Sequence, residues 1–258
     1  MVLPEEIGDA AQDCDADDVA RVKAWLDSGG DINAGDSAGF TLLHCCAIGS
    51  REGSEVTDAH VALARELISL GAEVNTCDSS CRDTPLHSVV ENAWRGRAWP
   101  DMVKLLLDAK ANLDVRNCYD ETPLKHAIAI DHTYAPSDPP LDLQTSKSLR
   151  ALRLLLRAGA SLDCEPDDEW PTAEDIIRGH YSNQDDERVI AMEALVAGVR
   201  QHGTYKRYIR APHRDVLAVR GLAQRGKLST NDPVLHFLAR IGDNGVCWHI
   251  LTYWRPTE

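Results

Sequence analysis

Apolar side chains recur along this chain at steps of three and four, the spacing that places them on one face of a helix. Met102, Val103, Leu106 and Leu107 form one such stripe, and Leu149, Leu152, Leu155 and Leu156 form another. Val189, Met192, Leu195, Val196 and Val199 predict a helix over 186–200. Val22, Trp25 and Leu26 predict an earlier one over 17–28, with those three side chains turned inward. Polar and flexible residues separate the stripes. Asp36-Ser37-Ala38-Gly39 has the composition of a hairpin turn. The pattern predicts a mainly α chain of short helices joined by tight turns.

Two phrases recur in fixed order around these stripes. The first reads Thr41-Leu42-Leu43-His44, then Thr84-Pro85-Leu86-His87, then Thr122-Pro123-Leu124-Lys125. The second reads Gly71-Ala72-Glu73-Val74-Asn75, then Lys110-Ala111-Asn112-Leu113-Asp114, then Gly159-Ala160-Ser161-Leu162-Asp163. An earlier copy, Gly29-Gly30-Asp31-Ile32-Asn33, marks a degenerate unit before the first Thr. Each phrase has a physical purpose. A Thr hydroxyl caps free amides at a helix start, and Pro is tolerated in the first turn. A Gly or small residue ends the second helix, where the backbone turns left-handed. Linked motifs repeated in register signal a stacked array, in which each unit buries its apolar face against the next.

The residues quoted resemble the ankyrin repeat, whose pattern is Asp-x-x-Gly-x-Thr-Pro-Leu-His-x-Ala-Ala, a second helix, then Gly-Ala-x-x-Asn. Asp36, Gly39, Thr41, Leu43, His44 and Ala47 match it in place, while Leu42 stands for Pro and Cys46 for Ala. The likeness covers about 2–202. It implies a solenoid of helix-turn-helix units with short β-hairpin loops, and a structural role for His44 and His87 in bonding backbone between units. It also implies protein–protein recognition through the hairpin tips and the exposed side of the first helices. The matching positions are Ser37, Ala38 and Phe40, then Asp78, Ser80 and Asp83, with Glu91 and Asn92 at a first-helix end. Arg116, Tyr119 and Glu121 follow, and by a weaker alignment Asp168 and Glu169.

The units divide as a capping unit over 2–35, fuller units over 36–77, 78–116 and 117–163, and a weaker cap over 164–202. In the last, Thr172-Ala173-Glu174-Asp175 replaces Thr-Pro-Leu-His. The spacing between Thr41, Thr84, Thr122 and Thr172 exceeds the standard period of about 33 residues. The extra chain falls between first and second helices, at 50–59, 93–100 and 131–148. Insertions on one edge of an array can build a binding face, and they can equally be tolerated drift, since longer loops cost little more to close. Trp94-Arg95-Gly96-Arg97-Ala98-Trp99 has the composition of an interface anchor. Trp94 and Trp99 could equally fold back on the helices they join.

After His202 the charge changes sign. Residues 203–258 carry nine Lys or Arg against four Asp or Glu, whereas 1–202 carry 18 basic and 37 acidic residues. Three short helices are predicted there, over 214–224, 233–241 and 245–254, the last with Cys247, Ile250, Leu251 and Trp254 in one stripe. Too short to stand well alone, this segment is expected to act as a small helical C-terminal cap. Leu217-Ala218-Val219-Arg220, Arg225-Gly226 and Trp248-His249-Ile250-Leu251-Thr252-Tyr253-Trp254-Arg255 are similar to an extension found after ankyrin repeats in proteins of eukaryotic algae. The segment also invites comparison with the SOCS box, which recruits a cullin ubiquitin ligase. It departs from that box by lacking Leu-Cys-x-x-x-Ile-Arg after Leu217 and Leu-Pro-Leu-Pro before the final helix.

Composition narrows the function. A net charge of −14 argues against general nucleic-acid binding and favours a basic protein partner. No apolar run is long enough to span a bilayer, and Met-Val-Leu-Pro-Glu-Glu lacks the features of a secretory signal. An intracellular protein, cytoplasmic or nuclear, is expected. Of eight cysteines, Cys77, Cys81, Cys118 and Cys164 lie in or near hairpins. Equivalent positions in stacked units should sit about 8–10 Å apart, beyond the roughly 7 Å limit for a disulfide, so free thiols without metal are expected. Cys46, in the place of a buried Ala, reads as core. No catalytic constellation stands out and no cofactor is implied; Cys247 and His249 point to different helix faces. The reading is a non-enzymatic interaction module, an adaptor, scaffold or assembly subunit. The alternative is a ubiquitin-ligase substrate receptor whose C-terminal helices recruit the ligase.

Overall fold

The computed structural model describes residues 2–51, 55–91, 97–129, 147–162, 172–180 and 187–211. They hold ten α-helices and a further helical stretch at 205–211, and no strand occurs among the described residues. The chain divides into two compact units, Met1–Glu193 and Ala194–Glu258. The three helices predicted after residue 213 lie outside the described residues, as do Asn92, Trp94, Asp168, Glu169 and most of the third insertion.

In the first unit the helices come in pairs. α1 (Glu5–Asp13) packs on α2 (Ala16–Asp27), α3 (Leu42–Ile48) on α4 (Asp58–Ser69), α5 (Pro85–Glu91) on α6 (Trp99–Asp108), and α7 (Pro123–Ala129) on α8 (Lys147–Ala158). Each pair then packs on the next. The first helices touch in the order α1, α3, α5, α7 and α9 (Ala173–His180), and the second helices in the order α4, α6, α8. The core runs between the two rows: Leu42, Leu43, Leu86, Leu124 and Ile128 from one side meet Leu67, Met102, Leu106, Leu152 and Leu155 from the other, all essentially solvent-free. The sequence stripes therefore mark the buried faces. In α2 only Val22 is fully buried together with Asp18, while Trp25 and Leu26 are half-buried. In α10 (Glu187–His202) the stripe from Val189 to Val199 is buried.

The insertions end earlier than the sequence suggested. Asp58 and Ala59, then Trp99 and Pro100, then Lys147 and Ser148 already belong to the following helices. Each helix start carries its own signal: Thr57 caps α4, and Pro100 sits in the first turn of α6. The described part of the first insertion lies against α1, where Arg51 reaches Asp9 at 2.6 Å.

The loops between units differ from the expected β-hairpins. Each is closed across its ends by a backbone bond, from the Asp36 amide to Phe40 (3.0 Å), Asp78 to Asp83 (2.9 Å) and Asn117 to Glu121 (3.1 Å). The first and third carry a second inside the turn, from the Gly39 amide to Asp36 (3.0 Å) and the Asp120 amide to Asn117 (3.1 Å). The opening Asp or Asn side chain takes further amides. Asp36 Oδ1 accepts from Ala38 and Phe40, and Asn117 Oδ1 from Tyr119 and Glu121. Amides engaged by a side chain two to four residues back cannot build a ladder, so a turn forms without strands.

The second helices end as the repeated phrase implies. Gly29, Gly71 and Gly159 have φ of 96°, 100° and 106°. Lys110 occupies the same place at φ 67°, a conformation that costs a side-chain-bearing residue about 1–2 kcal/mol. In the second unit the described residues are the end of α10 and a helical stretch at 205–211, where the Tyr208 ring meets His202 edge-on at 6.0 Å.

Relief of the left-handed strain at exposed Lys110 should outweigh the added freedom of the unfolded chain. Lys110→Gly is expected to stabilise the protein by about 1 kcal/mol, read as a higher urea midpoint at unchanged slope.

Candidate functional site

The chemistry of this protein begins with four-residue clamps built from Thr and His. The Thr41 amide donates to His44 Nδ1 at 3.2 Å, and the Thr41 hydroxyl lies 2.9 Å from the same nitrogen. A nitrogen that accepts an amide hydrogen carries no proton, so the proton is on Nε2. That nitrogen donates to the Asp83 carbonyl of the next unit at 3.1 Å. Thr84 and His87 repeat the arrangement, with Nε2 donating to the Glu121 carbonyl at 3.1 Å. Both imidazoles are fully buried. They are structural, as the resemblance implied.

A third clamp escaped sequence reading. Thr57-Asp58-Ala59-His60 opens a second helix rather than a first, and has no Pro-Leu to flag it. His60 Nδ1 takes the Thr57 amide at 3.2 Å and its hydroxyl at 2.8 Å, while Nε2 donates backward to the Gln12 carbonyl at 2.6 Å. The Thr-x-x-His spacing was the available signal. Toward the other end the clamp changes. Lys125 stands in the His position, and an ammonium cannot accept the Thr amide; Thr122 instead accepts from the Lys125 amide. In α9, Asp175 takes both the amide and hydroxyl of Thr172, at 3.0 and 2.7 Å.

Burial sets the charge states. It lowers the pKa of His44 and His60, and it pushes His87 down to about 4. His126 differs. Burial alone would lower it, but the Glu121 carboxylate at 2.8 Å, helped by Glu91 and Asp83, raises it overall. Its ring meets that of His87 edge-on at 6.1 Å. Burial also pushes the thiols up, Cys14 to about 11, Cys45 to about 12, and Cys46 well above its ordinary value. Cys46 is core, as its position suggested.

The clamps and caps hold three loops side by side. The Ser79 amide donates to the Ala38 carbonyl at 2.8 Å, and the Cys118 amide to the Cys81 carbonyl at 2.6 Å. Behind them, Asn33 Oδ1 accepts from the Glu73 amide and Asn75 Oδ1 from the Asn112 amide, so each unit is also tied through its second phrase. Gly39 permits the loop approach: at φ 84°, a Cβ there would meet the Ser79 amide at 2.6 Å.

The candidate binding residues fall on this row unevenly. Ser37, Ser80, Glu91 and Tyr119 are exposed, Tyr119 at 66%. Phe40 is half-buried with its ring edge-on to His44 at 5.7 Å. Arg116 is engaged by Asp120 at 2.9 Å, and Asp83 accepts from the Asn117 amide group at 3.0 Å. Asp78 is 3% exposed, with both carboxylate oxygens turned into its own loop; these bonds hold its carboxyl below the ordinary range despite the burial that opposes them. Its side chain shapes the surface from beneath. Trp99 is 2% exposed at the start of α6, with the Arg150 guanidinium 5.6 Å from its ring centre, so it folds back rather than projecting.

A chain of paired helices, inter-unit Thr-His clamps and looped edges is the architecture of a stacked helical repeat. Residues 81–118 match the ankyrin-repeat family model. The chain is also 38% identical over 72 residues to an ankyrin repeat protein of Acanthamoeba polyphaga mimivirus, a match covering 28% of this chain and 43% of that one. Both findings support an ankyrin-repeat protein. Ankyrin repeats generally mediate protein–protein interaction. The match spans less than half of the viral relative's length. No described helix is long and apolar enough to cross a membrane.

Two outcomes follow from the clamps. His60→Ala should destabilise the protein by about 2–4 kcal/mol in urea unfolding, since it leaves a cavity and unpaired backbone groups. On acidification, the lowered His44, His60 and His87 should contribute stability that is complete above about pH 6.5 and is lost as pH falls toward their folded values. The slope is about 1.4 kcal/mol per pH unit for each imidazole that stays neutral. His126, being raised, contributes in the opposite sense: its stabilisation is present below about pH 6.5 and is lost as pH rises through its folded value. Histidine NMR titration checks the order directly, with His126 protonating first.

Proposed function

We propose that the protein is a non-enzymatic adaptor, scaffold or assembly subunit that binds a basic protein segment along its row of inter-unit loops. The reading is carried by the loop row itself: three adjacent turns fixed by backbone bonds, with Tyr119 standing exposed among them. Fixed loops lose little entropy on binding, and an exposed aromatic on a rigid support is the usual anchor of a recognition patch. The strongly acidic balance of 1–202 supports a basic partner, since complementary charge steers encounter. Ser37, Ser80 and Glu91 are the polar contacts of this surface, and Asp78 orders the loop that presents Ser80. An intracellular setting remains part of the proposal. The ligase-receptor alternative rests on residues after 211, outside the described part of the chain; co-purified cullin would favour it.

The test is capture from native extract by the tagged full chain, at low and high salt, beside a Tyr119→Ser, Glu91→Lys variant. Both positions are exposed, so the fold should survive. Binding should fall at least about tenfold in the variant and fall again at high salt. A partner retained equally by the variant would remove recognition from this surface.

A further inference from the structure

The contact between the second and third loops joins two cysteines. Cys81 and Cys118 are also the first and last residues of the segment that matches the ankyrin-repeat family. Equivalent positions in neighbouring units were expected to lie too far apart for a disulfide, but these two are not equivalent. Cys118 matches Ser79 in its loop, and Cys81 matches Ala38 in the loop before. The Cys118 amide donates to the Cys81 carbonyl at 2.6 Å. The two thiols also lie within hydrogen-bonding reach of each other, the close approach of side chains that a disulfide requires. Cys118 is exposed and Cys81 half-buried, so an oxidant reaches the pair from solvent.

We propose that Cys81 and Cys118 form a reversible disulfide under peroxide or a small-molecule disulfide, covalently closing one repeat end to end at the loop row. With hydrogen peroxide, the Cys118 thiolate attacks one oxygen, the O–O bond breaks, and the departing hydroxide is protonated to water. The Cys81 thiolate then attacks the Cys118 sulfur of the sulfenic acid, the S–S bond forms, the S–O bond breaks, and the departing hydroxide takes a proton from solvent to give a second water. Two thiols lose two electrons between them and the peroxide gains two. A thiol reductant reverses the bond by exchange.

The surroundings favour this pair over the other described cysteines. Cys14, Cys45 and Cys46 have raised thiols and are buried, out of reach of an oxidant in solvent. The Cys118 thiol is also raised, by partial desolvation and by the neighbouring Cys81 thiol, and the Tyr119 phenol is raised by the same two sulfurs. Three side chains thus share one corner, and the oxidation runs faster at about pH 8.5 than at neutrality. This inference does not depend on the identity or class of any partner.

The experiment treats the reduced, folded full chain with hydrogen peroxide or glutathione disulfide, blocks remaining thiols with iodoacetamide, and digests it without reduction. Mass spectrometry should find the Cys81 and Cys118 peptides joined and two hydrogens lighter, in wild type and in Cys77→Ser alike. Oxidised wild type should melt on the order of 5 °C above its reduced form, and Cys118→Ser should show no such rise. Cys118 recovered as sulfinic acid or a glutathione adduct while Cys81 remains alkylated would overturn the proposal. A bridge from Cys77 to Cys81 would overturn it equally.

Discussion

A buried, neutral imidazole spanning two units is the constraint on which the first unit of this protein depends. His44, His60 and His87 each close a helix start with one nitrogen and hold a distant backbone carbonyl with the other. The two tasks require one tautomer, and burial keeps it by penalising the charged form. Local capping and long-range assembly are thereby the same event. Helices of seven residues such as α3 and α5 are far too short to persist alone in water. They persist here because both ends of each imidazole are occupied only when neighbours are stacked.

The loops inherit their order from that stacking. Once Asp83 and Glu121 have their carbonyls held from behind, the turns they close can meet edge to edge through single backbone bonds. An acceptor side chain at the head of each turn then sets its shape. The loop row is thus assembled from backbone positions that the core dictates, and an exposed side chain such as Ser37 can vary without disturbing the support.

Much of this was readable from the chain because the signals were local. Thr followed three residues later by His, Gly at a left-handed cap and apolar steps of three and four each act within one helix, and they located the pairs and the buried stripes. The failures were of two kinds. Thr57 and His60 carry the right spacing, but the surrounding Asp58-Ala59 lacks the familiar context, and their reach back to Gln12 depends on which helix lies behind them. The Cys81–Cys118 approach depends on a one-residue offset between loops of unequal length, so counting equivalent positions misjudged it. Asp78 shows the same limit from the other side: its residue type suggested an exposed charge, whereas its geometry made it an internal acceptor.

The direction of the clamps has a consequence for how the fold comes apart. His60 holds backward and His44 holds forward, so the unit containing them is tied to both neighbours, while Lys125 and Asp175 replace the bridging imidazole farther along. In a quasi-one-dimensional array, stability is a chain of nearest-neighbour couplings. Those couplings are strongest near the beginning of the first unit and weaken toward α9. Amide hydrogens should therefore exchange with solvent in a graded sequence, the later helix pairs opening while α1, α3 and α4 remain closed as one cooperative block.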